Sequence, residues 1–176
     1  MLNLRVEMQK LGDAAEEIKH FVENANADVW VGFLDGKYHV PTLHKEGKGK
    51  KAQYKGYDGE PDPQNAIPVE NSELAKTLSF GSATIPARPF IEEGLLSKKD
   101  ELSKEIETQL ENVKKGQPAN WEKVGTKAVG AVQEFVRGDY YKSTIPNSEK
   151  TIKYKGSDTP LIDGGDLINS LEFVVE

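Results

Sequence analysis

The chain has 176 residues and a formal net charge of −6, with 30% charged and 36% hydrophobic residues and no cysteine. That length and composition suit one domain with much of its chain on the surface or in an insertion. The acidic balance argues against non-specific nucleic-acid binding by the molecule as a whole, and the missing cysteines exclude disulfides, thiol nucleophiles and cysteine-ligated zinc.

Taken from the N-terminus, Leu4, Met8, Leu11, Ala15, Ile18 and Val22 recur at steps of three and four. That spacing predicts one amphipathic helix from about residue 3 to 24. No charged-then-apolar leader precedes it. The longest apolar run, Val29 to Leu34, falls far short of the ~20 residues that span a bilayer, so the expectation is a protein made and kept in the cytoplasm, with no membrane partner. Asp35-Gly36 separates that run from Lys37-Tyr38-His39-Val40 and carries the type I′ turn signal, which predicts a hairpin closed by Pro41.

Periodicity disappears from Leu43 to Pro68. Between Leu43 and Asp58, five lysines (Lys45, Lys48, Lys50, Lys51, Lys55) face two acids, Glu46 and Asp58. With four glycines and three prolines nearby, about 43–68 reads as an inserted flexible loop. Tyr54 and Tyr57 among these lysines suit base stacking, which gives an alternative function as a nucleic-acid-binding module acting through 44–57. The plainer reading is a solvated arm that a protein neighbour orders.

Ser72 to Leu78 predicts a short helix, followed by Phe80-Gly81 and the connector Ile85-Pro86-Ala87-Arg88-Pro89-Phe90. Each proline pushes its predecessor out of the α region, so the connector is short, stiff and extended. Phe90 then plugs a core and Arg88 seeks a carboxylate or carbonyl. Ser97 with Asp100 resembles a capping box for a helix whose stripe is Leu102, Ile106, Leu110 and Val113. Gly116 and Pro118 end it. Asn120 caps a second long helix with the stripe Trp121, Val124, Ala128, Val132 and Phe135, ended by Gly138, and the short join makes the two antiparallel. In the tail, Asp166 is placed to cap a short helix, and Leu171, Phe173 and Val175 alternate as a half-buried strand.

The expected fold is therefore a single α+β domain. A small antiparallel sheet, made of the hairpin near 28–40 and a C-terminal strand near 170–175, packs against the N-terminal helix and a long helical hairpin.

Motifs for chemistry are missing. His20, His39 and His44 are scattered without zinc spacing. Asp58, Glu60 and Asp62 begin like a calcium loop, but Pro63 and Val69 occupy the positions that need Gly and Glu. Gly47-Lys48-Gly49-Lys50 lacks the Ser/Thr and spacing of a phosphate loop. The expectation is no enzyme, no metal and no cofactor.

Taken together, Val31-Gly32-Phe33-Leu34, Glu73-Leu74-Ala75 to Phe80-Gly81, the connector 85–90, Pro146-Asn147-Ser148, Thr151-Ile152 to Lys155-Gly156, and Pro160-Leu161-Ile162-Asp163 with Gly165 resemble the virion-morphogenesis or tail-completion proteins of tailed bacteriophages. The resemblance covers roughly residues 29–34 and 72–175, and 44–66 looks like an insertion. It implies an α+β structural subunit without catalysis, located in the virion neck. Such a subunit forms a homo-oligomeric ring, commonly hexameric, among other neck and tail proteins, with DNA passing through the lumen without sequence-specific binding. Gly81, Ile85, Pro86, Arg88, Pro89, Phe90, Pro160, Leu161, Asp163 and Gly165 are then the structural motif residues. Lys45, Lys48, Lys50, Lys51, Tyr54, Lys55 and Tyr57 form the candidate inter-subunit or DNA-facing loop.

Overall fold

The computed structural model describes residues 19–20, 23–33, 38–39, 44–46, 53–55 and 69–176. These form an α+β fold, as the sequence predicts. Its strands are β1 (Val29–Phe33), β2 (Tyr38–His39), β3 (His44–Glu46), β4 (Gln53–Lys55), β5 (Val69–Glu70) and β6 (Leu171–Val175). The helices are α1 (Asn71–Phe80), α2 (Phe90–Ser97), α3 (Lys99–Lys114), α4 (Trp121–Arg137), α5 (Tyr140–Thr144), α6 (Glu149–Lys155) and α7 (Asp166–Asn169). Residues 19–20 and 23–25 are helical, consistent with the end of the expected N-terminal helix; residues before 19 lie outside the described set.

β1 and β6 pair antiparallel, from Val29 opposite Val175 to Phe33 opposite Leu171. The expected hairpin is corrected here. β2 pairs with β5, Tyr38 opposite Glu70 and His39 opposite Val69, and not with β1. The turn residues Asp35-Gly36 lie outside the described residues. The physical reason is burial: Val29, Val31 and Phe33 match the stripe Leu171, Phe173 and Val175, and the paired stripes cover α4 together. A local partner at 37–40 offers a shorter and more polar match, so tertiary packing overrides the turn signal.

Two segments of the expected loop, 44–46 and 53–55, are strands. β3 and β4 pair antiparallel, with His44 opposite Lys55, Lys45 opposite Tyr54 and Glu46 opposite Gln53. Backbone pairing of two polar segments leaves no apolar alternation to find in the sequence. Of the predicted loop residues, Lys45, Tyr54 and Lys55 sit on these strands; Lys48, Lys50, Lys51 and Tyr57 lie outside the described residues.

α4 is the common support, touching the sheet, α2 and α3. Two glycines permit the closest approaches. A Cβ on Gly94 of α2 would stand 2.8 Å from the Val132 Cα, and one on Gly125 of α4 would stand 2.2 Å from the Phe173 ring. Around these contacts the core gathers Phe90, Val132, Val136, Tyr141, Leu167, Ile168 and Leu171. Burial of a side chain such as Phe90 stabilises by roughly 1.5–3 kcal/mol.

α3 departs from its predicted stripe. Glu105, Gln109 and Val113 are its buried residues, whereas Ile106 is exposed. The seam with α4 is polar: Lys123 Nζ lies 2.9 Å from Glu105 Oε1 and Lys127 Nζ 2.5 Å from Glu105 Oε2. Gln109 donates to Glu105 Oε1 at 2.6 Å and accepts from the Asn120 N–H at 2.8 Å. Counting apolar residues misses a seam made of ions and amides.

Two caps also change. Ser97 donates to the Gly94 carbonyl at 2.7 Å and closes α2, while Lys98 stands at the start of α3 without a side-chain cap bond. Gly165, at φ +93°, is the N-cap of α7, and Asp166 is that helix's first residue. The glycine reaches a left-handed entry that an aspartate cap would resist. Asn120 caps α4 as predicted, accepting from the Lys123 N–H at 3.0 Å.

Candidate functional site

The connector turns back on the helix before it. Gly81, at φ +74°, ends α1, and a Cβ there would meet Ile85 O and Ala87 N at 2.8 Å. Ser82 N–H donates to Ile85 O and Arg88 N–H donates to Leu78 O, both at 2.8 Å. Between Gly81 and Pro89 the chain is neither helix nor strand, as its prolines require. Phe90 then opens α2 fully buried, its ring meeting Phe33 edge-on at 6.3 Å.

Arg88 is buried, and its partner is a pair of carbonyls. Nε and Nη2 donate to Ile145 O at 3.1 and 2.9 Å, and Nη2 also donates to Pro146 O at 3.2 Å. The guanidinium thereby ties the connector to the turn between α5 and α6. The planar fork suits two adjacent acceptors, where an ammonium would serve as a point charge only.

Further polar groups pack around this clasp. Tyr141 donates its hydroxyl to Glu93 Oε2 at 2.5 Å; burial and then that carboxylate push its phenol above the ordinary range. Lys155 donates to Thr159 O at 2.8 Å. Burial lowers its ammonium, the Arg88 charge lowers it further, and Asp163 opposes both. Pro160 is fully buried, and Leu161 holds φ +62°, a left-handed conformation that is strained for a branched apolar residue. Arg88 and Asp163 thus both act on Lys155, and Pro160 and Leu161 follow Thr159, whose carbonyl accepts from it. Gly81 and Ile85 serve the turn before Arg88, and Gly165 starts α7.

Two exposed surfaces complete the picture. An apolar groove of about 530 Å³ lies between β1, α1 and α2, lined by Gly32, Phe33, Ala75, Lys76, Phe80 and Leu95; Phe80 is 80% exposed. The outer face of the β1–β6 sheet presents Asp28, Trp30 and Gly32 opposite Glu176, Val174 and Glu172. Trp30 is 61% exposed there and Val174 39%.

Sequence reasoning did not single out Gly94, Gly125, Glu105 or Tyr141. An isolated glycine inside a helical pattern was the available signal for the first two. Nothing local marks the others, whose partners come from elsewhere in the chain.

Chemically, the arrangement holds segments together. Among the described residues there is no group of three or more His, Cys, Asp or Glu placed to hold a metal ion. None of their helices is long and apolar enough to cross a membrane. No family model, curated protein or solved structure matches the chain.

Proposed function

We propose that the chain is a structural, non-enzymatic subunit of a tailed-phage neck, of the tail-completion or tail-terminator kind. It acts by assembling with copies of itself into a ring, six-fold by the resemblance, at the head–tail junction. The observation that carries this reading is the Arg88 clasp. Three of the stretches that carry the resemblance are far apart in sequence, yet Arg88 of 85–90 donates to Pro146 O of 146–148, and its charge reaches Lys155, where 155–165 begins. Motif residues spent on one internal clasp suit a subunit whose task is to hold its shape under load from neighbouring proteins. They do not suit a reaction centre, which needs groups convergent on an open space.

The test is assembly. Purified protein is measured by sedimentation over a wide concentration range and added to tails from a phage lacking its own completion protein. A ring-sized particle and restored head joining are the expected results. A monomer at every concentration that never joins tails would remove the reading.

A further inference from the structure

The groove between β1, α1 and α2 is edged on both walls by the same kind of side-chain pair. On α1, Lys76 lines the groove and Phe80 follows one helical turn later; on α2, Glu92 lines it and Leu96 follows one turn later. All four side chains are exposed, Phe80 by 80% and Leu96 by 59%. Among the described residues neither Lys76 nor Glu92 has an ion-pair partner.

Between the walls the lining is apolar, with Phe33, Ala75 and Leu95, and the volume of about 530 Å³ exceeds that of a phenylalanine side chain. The connector folds back on the last turn of α1, Arg88 N–H donating to Leu78 O, so α2 departs from beside the end of α1. Each wall therefore carries a charge and then a large apolar side chain along its own helix, with opposite signs of charge. An open apolar groove rimmed in this way marks an interaction surface.

We propose that this groove seats a second copy of the same chain across a two-fold axis, with α1 of each copy lying along α2 of the other. Lys76 then faces the partner's Glu92 and Phe80 faces the partner's Leu96, and the symmetry makes each contact twice. A surface that carries both charge signs in this order is complementary to itself. A ligand of one charge, or an apolar one, would leave Lys76 or Glu92 unmatched. Exposed ion pairs contribute little each, so they set register while burial of the two phenylalanines supplies the main attraction. The contact does not depend on the ring reading: it is isologous and closes on two copies, whereas a ring contact is heterologous and uses other faces.

Sedimentation of the full-length chain and of variants at these exposed positions tests the contact. The wild type should run as a dimer or, where rings form, as a pair of rings. Phe80→Glu should raise the dissociation constant by about tenfold or more, and should halve the mass of a paired ring, with the melting temperature unchanged. Lys76→Glu and Glu92→Lys should each weaken self-association. Mixing these two variants in equal amounts should restore it, because only the mixed pair sets opposite charges at both contacts. Damage to the fold of either chain would not be rescued by mixing. Mixing without rescue overturns the proposal, and so does assembly of Phe80→Glu equal to that of the wild type. A wild-type monomer at every concentration whose groove takes up a small apolar dye would assign the groove to another ligand. A dimer that depends on Phe80 but never joins tails would uphold the contact and remove only the neck reading.

Discussion

Arg88 shows how much a single side chain can hold here. It is buried and donates to the carbonyls of Ile145 and Pro146. Truncating it removes these charge-assisted hydrogen bonds and the packing of a buried side chain, and hydrogen bonds of a charged group are worth about 1.5–3 kcal/mol. Arg88→Ala should therefore lower thermal stability by roughly that amount, and Arg88→Lys should recover only part of it because an ammonium lacks the fork. Equal melting temperatures for all three proteins would show that the clasp is dispensable. Gly94 offers a second test at this scale. Gly94→Ala drives a methyl against the Val132 backbone and should cost about 1–3 kcal/mol, whereas Gly130→Ala enters open space on the same supporting helix and should be neutral or stabilising by up to ~1 kcal/mol. Matching melts for the two alanine variants would remove the close-approach account.

Between α3 and α4 the seam is polar, and its behaviour with pH follows from Glu105. Hydrogen bonds from Lys127 and Lys123 hold this carboxyl down to about 2. The folded value lies below the unfolded one, so the stabilisation is fully present above about pH 4.5. It is lost as pH falls toward 2. Glu105→Gln should flatten that acid limb of the stability curve and lower the melting temperature by about 2–4 °C at neutral pH, for a loss of about 1 kcal/mol given the half-exposed lysines. An unchanged acid limb in differential scanning calorimetry would assign it to other carboxylates. The same seam explains what the sequence could convey. α4 was legible because Val124, Ala128 and Val132 repeat as apolar residues, and β6 because Leu171, Phe173 and Val175 alternate. α3 was placed correctly in length but rotated, since its inward residues Glu105 and Gln109 look like surface to any hydrophobic count. The hairpin expected at Asp35-Gly36 failed for a related reason. A turn signal speaks for two residues, and the partner that captured β1 lies at the far end of the chain. Of the candidate site, the extended connector followed from its prolines and the burial of Phe90 from an aromatic placed on it, while the carbonyls of Ile145 and Pro146 had no local mark.

For the molecule as a whole, the decisive pairing is β1 with β6, since it joins segments separated by nearly the full described length. Neither strand can cover α4 by itself, and Phe173 fills the space that Gly125 leaves. A chain shortened after Ser170 should therefore lose cooperative unfolding and expose apolar surface. A sharp melt with wild-type midpoint in the shortened protein would show that the helices are stable without the sheet. Such long-range closure also predicts slow folding relative to a helical bundle of this size.

Asp28 and Glu176 exchange both backbone hydrogen bonds, at 2.8 and 2.9 Å, so β1 begins where β6 finishes. Tension applied across that pair opens the ladder like a zipper, one rung after another, because no two rungs share the pull. The rung of Val31 with Phe173 brings α4 into the pull, because the Phe173 ring lies against Gly125. A joint of that geometry holds against sliding and yields to peeling, so the direction in which a neighbour pulls decides whether it stays shut.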